Sequence, residues 1–220
     1  KLEASGAVLV EGAKWCGKTT TSKQIAKSVL YMQEPAQKKQ NLLMADTNPS
    51  ILLQGKVPRL IDEWQLAPKL WDAVRFEVDQ RDDFGQFILT GSAVPPDTSE
   101  ISHSGTGRIS RMLMRPMSLL ESGESNGSVA LAELFNANYE VSSSVKSDIE
   151  ELAFLICRGG WPKAIGKTVK VALQQAIDYY DAVVNSDISR VDDKERNPER
   201  AKLLMRSYSR NIGSQAKFEE

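Results

Sequence analysis

The chain has a single histidine, His103, and only two cysteines, Cys16 and Cys157. One histidine excludes a multi-histidine metal centre, and no Cys/His cluster has zinc-ligand spacing. Two cysteines, one of them inside a glycine-rich turn, do not make a disulfide framework, and a reducing cytoplasm is the expected compartment. No apolar run approaches the ~20 residues that a membrane-spanning helix needs. No signal-peptide pattern is visible, and because the chain begins with Lys1 rather than Met, residues are expected before it. Nor does one sign of charge dominate: 28 Lys and Arg stand against 29 Asp and Glu, for a net charge of −1. That balance excludes a strongly basic nucleic-acid binder but leaves room for a local basic patch. At 220 residues, 41% hydrophobic and 26% charged, the chain reads as one or two ordinary globular domains with length enough for a core.

Against this plain background one segment stands out. Gly12-Ala13-Lys14-Trp15-Cys16-Gly17-Lys18-Thr19 fits the phosphate-loop pattern GxxxxGK[ST] at every fixed position. In such a loop successive backbone N–H groups converge on phosphate oxygens, and the following helix adds its positive N-terminal end. Lys18 would reach the β- and γ-phosphates, and the Thr19 hydroxyl would bind Mg²⁺. The candidate nucleotide-binding residues are therefore Gly12 through Thr19, with Thr20 in the first helical turn. Ala7 to Glu11 reads as a short buried strand, and Thr20 to Tyr31 as a helix with Ile25, Ala26, Val29 and Leu30 on one face. Strand, loop, helix is the order the motif requires, which disfavours a chance match in a glycine turn.

Gln33 to Gln40, with Pro35, reads as a loop, and Asn41 to Ala45 as a short strand broken by Asp46-Thr47-Asn48-Pro49. Arg59 to Glu63 is a short apolar run ending in two acids. Pro68 suits the first turn of a helix reaching Arg81, with Leu70, Trp71, Val74 and Val78 at helical spacing. Gln86 to Thr90 is another buried strand. Val94 to Gly107, rich in Pro, Ser, Thr and Gly, reads as a surface loop, and Arg111 to Met117 as a last strand. Helical patterns between strands predict a mostly parallel sheet with helices on both faces. After a turn-rich joint at 122–128, Val129 to Phe135, Asp148 to Arg158, Val169 to Ser189 and Pro198 to Ile212 carry helical periodicity.

Asp62, at the end of a strand, could hold Mg²⁺ through its water shell, and Glu63 could serve as the general base for an attacking water. Two acids that merely end a strand at the surface are the alternative. Ser92, ahead of Thr90, is the candidate hydroxyl that senses the γ-phosphate; either could instead cap a helix. Arg108, Arg111 and Arg115 follow the long loop. Arg108 is the first candidate for an arginine finger, with surface charge or a structural ion pair as the alternative. In Cys157-Arg158-Gly159-Gly160-Trp161-Pro162, a tight interhelical turn, Trp161 or Pro162 could pack on the adenine or ribose, unless Trp161 is simply buried there. Cys16, in the loop at a helix N-terminus, is expected to block ATP binding when alkylated.

Taken together, these segments resemble a family of prokaryotic AAA-type ATPases known mainly as ATP-binding proteins with an uncharacterised C-terminal domain. The matching stretches are Gly12 to Thr19, Pro58 to Gln65, Phe87 to Ser92, Gly107-Arg108 through Arg115 to Leu119, and Gly159 to Pro162. The resemblance implies an α/β fold: a P-loop NTPase parallel sheet flanked by helices over 1–125, a helical lid over 126–195, and over 196–220 the start of a winged-helix segment whose remainder is absent. It implies ATP and Mg²⁺ as ligands, and ATP hydrolysis coupled to a conformational change. A DNA or protein partner would then engage the missing C-terminal region, and a finger supplied by a neighbour would imply an oligomer. The competing readings are a nucleotide-gated DNA- or protein-binding switch with little turnover and, less favoured, a small-molecule kinase.

Overall fold

The computed structural model describes residues 1–91, 101–136, 141, 147–189 and 196–214. Five strands build one sheet: Ala7–Glu11 (β1), Ser28–Tyr31 (β2), Arg59–Asp62 (β3), Phe87–Thr90 (β4) and Ile109–Leu113 (β5). Their order is β2-β3-β4-β1-β5, and all four ladders are parallel. Parallel strands must be buried on both faces, and the side chains of β1 alternate accordingly. Ala7 and Leu9 enter one core with Ile61, Phe87, Leu89, Trp71 and Val74. Val8 and Val10 enter the other with Leu60 and Ile88. Helix Lys18–Ile25 (α1) returns the chain from β1 to β2, and Lys38–Thr47 (α2) and Lys69–Arg81 (α3) follow in turn. The α/β sheet flanked by helices expected from the residues is the fold observed.

Two expectations fail in the same stretch. The helix expected from Thr20 to Tyr31 ends at Ile25, and Ser28–Tyr31 is a strand in register with Arg59–Asp62. Ala26 is already extended, and Val29 and Leu30, in helical phase with Ile25 and Ala26, are spent on sheet burial instead. The short strand expected at Asn41 to Ala45 lies inside α2. That helix buries only Asn41 and Ala45, and the Asn41 side-chain amide donates to the Tyr31 carbonyl at 3.2 Å. So polar a helix leaves little apolar periodicity to read. The last strand starts at Ile109 rather than Arg111 and stops at Leu113, short of Pro116, which has no N–H to extend a ladder. Within Val129 to Phe135 only the short 3₁₀ turn Glu133–Phe135 is formed.

The C-terminal part contains Ile149–Arg158 (α4), Val169–Ala182 (α5) and Pro198–Arg210 (α6), with a π-helical turn at Val183–Asp187. Asp148 caps α4 through the Glu151 N–H, and Asn197 caps α6 through Glu199 and Arg200. Between α4 and α5 the Gly159-Gly160 turn meets the segment after β5. Met117 N–H donates to the Gly160 carbonyl at 2.7 Å, and a Cβ on Gly160 would lie 2.1 Å from the Met117 oxygen. Arg158, nearly fully buried, ion-pairs with Glu124. These contacts hold the helical part against the segment that follows β5.

Candidate nucleotide-binding site

The loop after β1 is shaped by its glycines. Gly12 has φ 153°, and a Cβ there would lie 2.1 Å from the Met114 carbonyl oxygen, so only glycine fits beside the end of β5. Gly17, at φ 102°, precedes α1 and offers no side-chain cap, which leaves the first N–H groups of the helix available to an anion. Lys18 is buried, and its ammonium donates to the carbonyls of Gly12 and Ala13 at 2.9 and 2.8 Å. Thr20 stands exposed in the same first turn.

Sheet register assembles the next part. Asp62 and Thr90 are direct partners across β3 and β4. Both follow the parity of Leu60 and Ile88 and so face α1. Thr19 reaches in from α1. The Thr19 and Thr90 hydroxyls each donate to Asp62 Oδ1 at 2.6 Å, and Asp62 is 3% exposed. The resulting donors are all hard oxygens. Among the described residues no group of three His, Cys, Asp or Glu could cage a metal. Oxygens of this kind could hold a hard cation such as Mg²⁺.

Glu63, just past β3, has left-handed backbone (φ 58°), a costly state for a non-glycine residue. The turn Trp64–Leu66 then carries Gln65 back, and its amide donates to Glu63 Oε2. Ser92 lies outside the described residues, so Thr90 is the β4 hydroxyl whose position is known. Arg108 is not at the loop. It precedes β5 at the opposite edge of the sheet, about 16 Å away over five strand residues, and pairs with Asp79 at 2.7 Å. The arginine-finger candidate is thus apart from the phosphate loop of its own chain. Arg111 pairs with Glu11 at 2.8 Å, while Arg115 follows β5 at the loop's edge and is exposed.

The loop tip is engaged by the helical part. Lys14 pairs with Asp187 of the π turn at 2.5 Å. Trp15, half exposed and itself left-handed (φ 66°), faces Tyr179 of α5 with ring centroids 5.8 Å apart. Trp161 packs on the same Tyr179 at 4.3 Å, and the Lys163 ammonium lies 5.6 Å from the Trp15 ring. Pro162 Cγ lies 3.6 Å from the Cβ position of Gly17. Burial, then the neighbouring Asp187 and Cys16, push the Tyr179 phenol above its ordinary value. Cys16 itself is fully buried, its thiol donating to the Met114 carbonyl at 3.6 Å. An alkylating reagent does not reach a thiol so enclosed, and the exposed cysteine is Cys157. The expectation that alkylation acts through Cys16 is corrected on that ground. Tyr179 and Asp187 drew no attention in the sequence, where they are ordinary members of a helical pattern; Gln65 stood there only as the end of the matching stretch Pro58 to Gln65, with no role assigned.

A family model described as an AAA domain matches residues 4–122, which is more than half of the chain and holds β1 to β5. The chain belongs to the AAA domain family. A second family model, a domain of unknown function (DUF8612), matches residues 149–220. No curated protein matches the chain. AAA domains are generally nucleotide-binding ATPases, and membership assigns this chain nucleotide-binding character at that level. Among the described residues no helix is long and apolar enough to cross a membrane.

Proposed function

We propose that this AAA protein binds ATP with Mg²⁺ at the loop Gly12 to Thr20 and hydrolyses it, with the helical part acting as a lid whose position follows the nucleotide. The reading rests above all on one arrangement: the Thr19 and Thr90 hydroxyls meet on a buried Asp62 directly behind the Lys18 loop. Thr19 and Asp62 would hold Mg²⁺, which supplies positive charge to the β- and γ-phosphate oxygens. Phosphate oxygens compete with the Gly12 and Ala13 carbonyls for the Lys18 ammonium, so the loop exchanges internal hydrogen bonds for ligand ones. Glu63 accepts a proton from water as its oxygen attacks the γ-phosphorus. The bond to the β–γ bridging oxygen breaks, and ADP departs with the electron pair.

Pro162 borders the loop at Gly17 and would contact the nucleoside. Arg108, at the far edge of the sheet, can act as a finger only on the nucleotide of a neighbouring copy, which makes an oligomer part of that role. In the partition proposed here 1–125 is the ATPase core, 126–195 the lid and 196–220 part of a winged-helix segment, and a DNA or protein partner would be engaged by the C-terminal region. The clasp of Lys14 and Trp15 on α5 and its π turn supports coupling between loop and lid. Lys18→Ala is expected to abolish ATP binding measured by calorimetry. Tight ATP binding by that variant would contradict the reading of the loop.

A further inference from the structure

Gln65 carries an anomaly that the fold does not require. Its side-chain oxygen is buried and has no hydrogen-bond partner, a state that costs free energy wherever it occurs. The reason lies at the other end of the amide. Only the NH₂ group can face a carboxylate, and it donates to Glu63 Oε2. With the nitrogen turned to Glu63, the oxygen is forced against the end of β4. The Cβ position of Gly91 lies 2.4 Å from Gln65 Oε1 and 3.2 Å from Trp64 Nε1. Glycine at 91 thus makes room for the amide. Two costly local states, left-handed Glu63 and an orphaned acceptor on Gln65, are tolerated side by side to bring one amide onto one carboxylate.

We propose that Gln65 is a positioning residue for Glu63, holding its carboxylate by Oε2 so that the remaining oxygen is presented to the attacking water, and that Gly91 completes the device by seating the amide against the end of β4. This rests on the reading of Glu63 as the base. Glu63 takes the proton of the water whose oxygen bonds to the γ-phosphorus, and the β–γ bridging oxygen leaves with its electron pair. Gln65 exchanges no proton and contacts no phosphate. The amide lies against the end of the strand that also carries Thr90.

Gln65→Leu removes the donor and the orphaned acceptor together at similar size, so the variant is expected to fold at least as well as the parent. Its kcat for ATP should fall by about tenfold or more, while KM stays within about threefold, because ground-state binding is untouched. Gly91→Ala, which crowds the amide from outside, should lower kcat in the same way. A second measurement does not depend on turnover. The side-chain amide resonances of Gln65, identified by their loss in Gln65→Leu, should move in Glu63→Ala. Resonances that stay in place, or a Gln65→Leu kcat within about twofold of the parent, would overturn the assignment. If the parent protein releases no phosphate at all, the hydrolytic reading fails, and the resonance experiment still decides whether Gln65 holds Glu63.

Discussion

Asp62 is the side chain on which the site converges, and its neighbours show what single residues contribute. Two hydroxyls donate to one oxygen of a carboxylate that is almost wholly removed from water. Thr90→Val keeps the shape and deletes one of these charged hydrogen bonds. It should cost about 1.5–3 kcal/mol of stability in denaturant unfolding. It should also raise the Mg²⁺ concentration needed for half-maximal turnover, since Asp62 loses one of the groups that orient it. Unfolding and Mg²⁺ dependence identical to the parent would show that Thr90 is a bystander. Lys18, Thr19 and Asp62 were legible in the sequence because the loop pattern and a strand ending in an acid are fixed by the chemistry of phosphate and Mg²⁺. Gln65 was not, since its role depends on the left-handed turn at Glu63, and nothing in a glutamate foretells that backbone. Arg108 was misleading for a related reason. Its place after a glycine-rich loop suggests reach, but the parallel sheet puts the start of β5 at the edge opposite the end of β1.

Among the elements, the contact between the loop and α5 has the clearest consequence. Trp15 bears the strain of a left-handed backbone, roughly 1–2 kcal/mol for an L-residue, and gains an aromatic contact worth about 0.5–1.5 kcal/mol. Trp15→Gly removes both. Global stability should therefore change by no more than about 1.5 kcal/mol, whereas amide exchange in α5 should quicken with the sheet unaffected. Unchanged exchange in α5 would mean that the clasp does not hold that helix. The Lys14–Asp187 pair, with both side chains partly in solvent, adds about 1 kcal/mol at most. The strands β1, β3 and β4 were readable as short apolar runs because each is buried on both faces. β2 and α2 were not. Val29 and Leu30 continue the phase of α1 by coincidence, and α2 turns mainly polar side chains outward.

Across the chain, the helical part and the segment after β5 are joined at Glu124 and Arg158. Arg158 has a side chain only 5% exposed, so Glu124→Ala would leave its charge buried without its counter-ion, holding only the Gly159 carbonyl and the Phe154 ring. The expected loss is about 3–5 kcal/mol, the range for breaking a buried pair from one side. The hydrogen bond from Arg158, above all, holds the Glu124 carboxyl below its ordinary value of 4.5. A depressed carboxyl contributes stability that is present above 4.5 and is lost as pH falls through the lower, folded value. Glu124→Gln should therefore flatten the acid limb of the stability profile below that point. An acid limb as steep as the parent's would place the pH dependence elsewhere.

The central claim is that the loop, Asp62 and Glu63 form one site that cleaves ATP. Phosphate release with Mg²⁺, compared between the parent and Glu63→Gln after ATP binding has been checked in both, tests it most directly. The account predicts unimpaired binding and release slowed by about a hundredfold or more in Glu63→Gln. Release by Glu63→Gln at the parent's rate would contradict it.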